Sequence, residues 1–158
     1  MSKLNYKHIL YTTELSENWK EVFSHALGIA EQYKAKLTFL YVVNTELIDL
    51  LTFDVGLERF PSIDKKFTEA KEYTTNINKQ ITKKITRAFG KETIKDINIL
   101  VERGRPVKII LNVAEEKKCD LIVIGFKGKA TLKNVTIGST VNKVLQKSKL
   151  PVLVINNI

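Results

Sequence analysis

Five short runs rich in β-branched and aromatic residues alternate along the chain with longer segments whose apolar residues recur every three or four positions. The runs are KHILYTT (7–13), KLTFLYVV (36–43), IKDINILVE (94–102), DLIVIGF (120–126) and PVLVINN (151–157). After the first run, Trp19, Val22, Phe23, Ala26, Leu27, Ala30 and Tyr33 fall on one face of a 3.6-residue period, with Ser16 placed to cap the helix. The period returns in Phe67, Ala70, Tyr73 or Thr74, Ile77, Ile81, Ile85 and Phe89, ending near Gly90, and again after Pro106 in Val107, Ile110, Leu111 and Ala114. A last helix is expected from about Gly138, carrying Val141, Val144 and Leu145. Strands separated by helices cannot close as tight hairpins, so they must pair in parallel through right-handed crossovers. The central runs are apolar at consecutive positions, as strands covered on both faces are. The expected fold class is α/β: an open, doubly wound, five-stranded parallel sheet with helices on both faces. Residues 44–63 fit neither pattern and are read as a long connection or lid with a short helix.

At 158 residues the chain has the size of one domain, and a single domain over 1–158 is expected. Cys119 is the only cysteine, which excludes an internal disulfide, and the first residues hold no apolar leader; a cytoplasmic setting is expected. No apolar run approaches the ~20 residues of a membrane span. The 26 Lys and Arg against 17 Asp and Glu give a net charge of +9. Those cations are spread along the chain and not interleaved with aromatics, so a lysine-rich solvated surface is the favoured reading over a nucleic-acid partner or a phosphorylated ligand.

In such sheets ligands sit beyond the carboxyl ends of the strands, where the strand order reverses. That directs attention to TTELS (12–16), at the end of strand one, and to VIGFKGKATLKNVTIGSTVNKVL (123–145), at the end of strand four. Neither GxGxxG nor GxxxxGK[ST] is present; Ala130 stands where the second pattern needs glycine. What remains is Gly125, Gly128, nine residues, then Gly138, Ser139 and Thr140 opening a helix. Glycines permit close backbone approach to a ligand, and a helix start offers free N–H groups and partial positive charge to an anion. Lys127, Lys129 and Lys133 enlarge that field. Glycines serving only a strand-to-helix turn remain the competing explanation.

The spacing Gly125-x2-Gly128-x9-Gly138-Ser139, with HILYTTELSENWKEVFSHALGIA, VERGRPVKIILNVAEEKKCDLIVIG and IGSTVNKVLQKSKLPVLVI in the same order, resembles the ATP-binding branch of the universal stress protein (UspA-like) family. The resemblance spans essentially the whole chain. It implies a Rossmann-like, adenine nucleotide alpha hydrolase-like sheet of order 3-2-1-4-5. It implies ATP as ligand, with any Mg²⁺ or Mn²⁺ carried by the triphosphate. Carried over by position, Thr12, Thr13 and Glu14 stand at the adenine and ribose edge and Val42 against the base. Ile124, Gly125, Lys127 and Gly128 cradle ribose and phosphate, and Gly138, Ser139, Thr140 and Val141 bind the phosphate chain. The family usually has proline at position 12 and aspartate at position 14, and a small polar residue and histidine where Phe126 and Lys127 stand. Lys127 is placed to contact a phosphate, and Phe126 to cover the sheet edge or the base. The resemblance also implies a homodimer paired through the last strand, with Val152 and Val154 at the interface.

Hydrolysis needs a positioned base or a metal-held water, and the sequence offers no clear set. His8 precedes strand one and His25 lies inside helix one, and both are read as structural or surface residues; Cys119 is read as a small core residue. The expected function is a nucleotide-binding sensor or regulator with at most slow ATP turnover. The alternatives are a same-fold interaction module that binds no nucleotide, a slow ATPase, and a nucleic-acid binder.

Overall fold

Strand β1 (His8–Thr13) holds Ile9, Leu10 and Tyr11 at zero exposure, which is possible only at the centre of a sheet covered on both sides. The computed structural model, which describes residues 3–45, 63–126 and 138–156 and the side chains of all of these except 63–68, places it there. β1 pairs in parallel with β2 (Lys36–Asn44) and β4 (Leu121–Phe126); β3 (Ile97–Gly104) extends the sheet beyond β2, and β5 (Val152–Asn156) beyond β4. The order β3-β2-β1-β4-β5 is the expected one. From residue 46 to 62, the connection read over 44–63 lies outside the described residues. So do Lys127, Gly128, Lys129 and Lys133 of the glycine-bearing loop.

Each face of the sheet carries its own apolar layer. Ile9, Tyr11, Phe39 and Val123 meet Trp19, Val22, Phe23 and Ala26 of α1 (Trp19–Tyr33) and Ile81 and Ile85 of α2 (Ile63–Phe89). Tyr11, Phe23 and Phe39 stack with ring centroids 5.0–5.3 Å apart, a spacing at which tilted and edge-to-face pairs attract. On the opposite face Leu10, Leu40, Ile122, Ile124 and Phe126 meet Ile110, Val113 and Ala114 of α4 (Pro106–Glu116) and Val141 and Val144 of α5 (Ser139–Lys147). Thr74, half-buried, is the inward residue of α2 where Tyr73 or Thr74 was expected; Tyr73 is exposed. Leu145, the last apolar position read for α5, also points outward.

Two local expectations are corrected. Ser16 does not cap α1: the N-cap is Asn18, without a side-chain bond, and Ser16 contributes only its carbonyl, to the Trp19 N–H at 3.0 Å. The Thr13 hydroxyl accepts the Leu15 N–H at 2.9 Å and Leu15 takes φ 58°, so a turn winds the chain before the helix begins. The third strand starts at Ile97, because Gly90 breaks α2 and a one-turn helix, α3 (Lys91–Lys95), takes up Ile94. Its Thr93 hydroxyl donates to the Phe89 carbonyl at 2.8 Å, bridging the two helices.

The amino end of the sheet is fastened by polar side chains. Asp120 accepts the backbone N–H of Lys7 at 2.7 Å and of His8 at 3.2 Å. The His8 ring spans the Lys117 carbonyl (2.9 Å) and the Thr38 hydroxyl (2.8 Å), so His8 is structural; His25 is exposed on α1. Cys119 is buried beside this cluster, and burial, helped by the Asp120 charge, pushes its thiol up to about 11. No helix among the described residues is long and apolar enough to cross a membrane.

Candidate functional site

At the other end of the sheet a cavity of ≈ 590 Å³ opens beyond the carboxyl ends of β1, β2 and β4. The parallel topology explains its position: each helix that follows a strand starts at this edge, so Asn18 before α1, Pro106 of α4 and Gly138 before α5 all reach it. Helix starts present unpaired N–H groups, but the Trp19 N–H of α1 is taken by the Ser16 carbonyl and Pro106 of α4 has none, so α5 is the start best placed to offer them.

Thr12, Thr13, Glu14, Val42, Ile124, Gly125, Gly138, Ser139, Thr140 and Val141, singled out from the sequence, all line this cavity. Lys127 and Gly128 lie outside the described residues. The sequence reading missed Trp19, Val22, Tyr41, Asn44, Pro106 and Ile110 as lining residues. Asn44 and Pro106 could have been found by applying the carboxyl-end rule to strands two and three. Trp19 and Val22 could not, since their period marks them only as core. Phe126 lines the cavity while packed into the second apolar layer, 7% exposed.

Two motif glycines turn out to serve different ends. A Cβ on Gly125 would stand 2.8 Å from Val22 Cγ2 and 3.2 Å from Cγ1, closer than real side chains approach. Gly125 is therefore required by the packing of α1 on β4, a use the sequence reading did not anticipate. Gly138 has φ −55° and ψ 148°, open to any residue, and no described atom lies within 4 Å of where its Cβ would be. The space beside Gly138, which lines the cavity, is open.

The same residue leaves α5 without a side-chain cap, and the first turn holds no acidic residue. The Asn142 N–H bonds the Gly138 carbonyl at 3.0 Å, so the donors of Ser139, Thr140 and Val141 are those left without an intrahelical acceptor. Two hydroxyls, on Ser139 and Thr140, stand beside them. Such a donor set suits a phosphate.

The walls between these donors and β2 are apolar, built from Val42, Ile110, Ile124 and Val141. At the floor, Thr12 is 3% exposed, and its hydroxyl has no partner among the described residues. Tyr11 is different: its hydroxyl donates to the Trp19 carbonyl at 3.0 Å, and burial holds the phenol well above its ordinary pKa. It is fixed and neutral. Among the described lining residues Glu14 is the single carboxylate, exposed at the rim, and there is no His, Cys, Lys or Arg. This lining can bind an anion joined to a flat apolar body; it places no evident general base deep in the cavity.

Comparison with known proteins agrees with this architecture. The model of the universal stress protein family matches residues 5–156. Universal stress protein MJ0531 of Methanocaldococcus jannaschii is 33% identical over 150 residues, covering 95% of this chain and 82% of its own. The structure of universal stress protein UspA from Lactobacillus plantarum superposes with a TM-score of 0.69 at 24% identity, covering 97% of this chain and 99% of that one. A universal stress protein solved in complex with cAMP gives a TM-score of 0.61 at 21% identity, covering 97% and 98%.

Proposed function

The chain belongs to the universal stress protein family, and we propose that it is a cytoplasmic sensor or regulator that binds ATP in the cavity at the carboxyl ends of β1 and β4. The observation that carries this reading is the start of α5, where a glycine N-cap leaves open space at the cavity lining and a set of N–H donors without an intrahelical acceptor. Phosphate oxygens accept from the N–H groups of Ser139, Thr140 and Val141 and from the two hydroxyls, and the helix dipole favours their charge. Val42 and Ile124 flank the base, while Thr13 and Glu14 stand where ribose hydroxyls emerge at the rim. A Mg²⁺ or Mn²⁺ arriving on the triphosphate would neutralise part of its charge, and Glu14 is the carboxylate within the lining that could face it. Because nucleotide would span α1, α4 and α5 at once, occupancy couples the two layers and biases the surface offered to a partner.

The pairing of two copies through β5 belongs to the same reading. The opposite edge of the sheet is blocked: Asn78 Nδ2 donates to the Ile99 carbonyl of β3 at 3.1 Å, and Glu102 and Arg103 are exposed on that strand. On β5, Val152 and Val154 are apolar and half-exposed, which favours that edge for a homodimer.

A thermal-denaturation titration with ATP, ADP, AMP and cAMP tests the central reading. At about 100 times the dissociation constant, ATP should add about 2.7 kcal/mol of stability. No shift with any of them at millimolar concentration would leave a same-fold interaction module that binds no nucleotide.

A further inference from the structure

The second apolar layer contains two buried threonine hydroxyls, at opposite ends of the sheet, and they are treated differently. Thr38, fully buried on β2, meets the His8 ring nitrogen Nε2 at 2.8 Å. Thr12, 3% exposed on β1, has no partner among the described residues and lines the cavity. On the opposite face the buried Tyr11 hydroxyl is also bonded. A buried hydroxyl without a partner costs free energy that the protein recovers only when something else bonds it.

The surroundings of Thr12 define what that something is. Thr12 lies opposite Leu40 on β2 and Ile124 on β4, and it follows Leu10 by two residues, so its side chain shares their face of the sheet. Ile110 of α4 and Val141 of α5 cover the same face and line the same cavity. A ligand group that reaches Thr12 therefore passes between apolar side chains and must present a hydrogen-bonding atom to the hydroxyl. A heteroaromatic ring has that chemistry; an aliphatic chain or a free phosphate does not.

We infer that Thr12 is the specificity-determining residue of this site, its hydroxyl hydrogen-bonding a nitrogen or an exocyclic amino group at the edge of the ligand's ring. This rests on the nucleotide reading above, and adds that the Thr12 hydroxyl, at a position where the family usually has proline, selects among rings. A hydroxyl can donate or accept, so discrimination comes from rejecting a ring with a C–H at the contacted position, which leaves the Thr12 hydroxyl unpaired.

Calorimetry on the full chain tests this with ATP and with triphosphates of 1-deaza-, 3-deaza- and 7-deazaadenosine and of purine riboside, against wild type, Thr12→Val and Thr12→Ser. Wild type should bind at least one analogue about 10-fold more weakly than ATP. Thr12→Val keeps the shape and removes the hydroxyl; it should bind ATP about 10-fold more weakly than wild type does and bind that analogue as well as ATP, whereas Thr12→Ser should retain the preference. Without ligand, Thr12→Val should melt no lower than wild type. ATP affinity unchanged by Thr12→Val, or the same analogue ranking in it, overturns the inference and leaves ATP binding intact. A lowered melting point for ligand-free Thr12→Val overturns it too, since the hydroxyl would then already be bonded. Failure of wild type to bind any of these nucleotides overturns the nucleotide reading and this inference together.

Discussion

The two ends of the sheet use similar residues to opposite effect. At the amino end, Asp120, His8, Thr38 and the Lys117 carbonyl bond one another and close the structure. At the carboxyl end, Thr12, Gly138 and the first turn of α5 stand around a cavity with donors that meet no acceptor among the described residues. The difference teaches that polar residues in this fold divide by partner and not by type. Those whose hydrogen bonds are internal hold the chain together, and those left open are available to a ligand. Parallel topology sets the direction of this division, because helix starts gather at one edge only.

The largest effect should come from breaking the closed end. Asp120→Ala removes the acceptor of two backbone N–H groups and should cost about 2 kcal/mol in urea denaturation, with ATP affinity unchanged. An affinity change of 10-fold would show that the ends are coupled. Gly125→Ala comes next, although it lies at the open end. Its new Cβ meets Val22, so it should cost about 1–2 kcal/mol by overpacking, and Val22→Ala in the same background should recover part of that loss. Gly138→Ala should have the smallest effect on stability, within about 0.5 kcal/mol, while weakening ATP binding by about 10-fold, since its methyl enters the open space at the cavity lining. If Gly138→Ala destabilised the fold as much as Gly125→Ala, the contrast between the two glycines would fail.

The sheet was legible because it depends on a pattern that burial writes into every strand. The runs around Leu10, Leu40 and Ile122 are apolar at consecutive positions, and the segments between them keep a helical period, so the parallel pairing followed, while the order of the strands came from the family resemblance. The boundaries were less legible where a side chain competes with the expected partner. Ser16 looked like a cap, but the Thr13–Leu15 turn ahead of it moved the helix start to Asn18. Ile94 looked like strand, but Gly90 allowed one further helical turn. In the candidate site, positions at the ends of β1 and β4 were found, whereas Tyr41 and Asn44 of β2 and those contributed by α1 were not. Trp19 and Val22 carry no local mark of facing a cavity, and only the packing distance reveals that Gly125 makes room for Val22. Nor can a sequence distinguish Thr12 from Thr38: both are threonines in apolar strands, and what separates them is whether a histidine reaches the hydroxyl.

Trp19 provides the most direct measurement, because it is the only tryptophan in the chain and lines the cavity while 6% exposed. Titrating ATP while following its fluorescence should give a saturable change with one nucleotide per chain in wild type, shifted to about 10-fold higher concentration in Gly138→Ala. A flat titration at millimolar ATP, or a curve that Gly138→Ala leaves in place, would contradict a nucleotide site at the open end of the sheet.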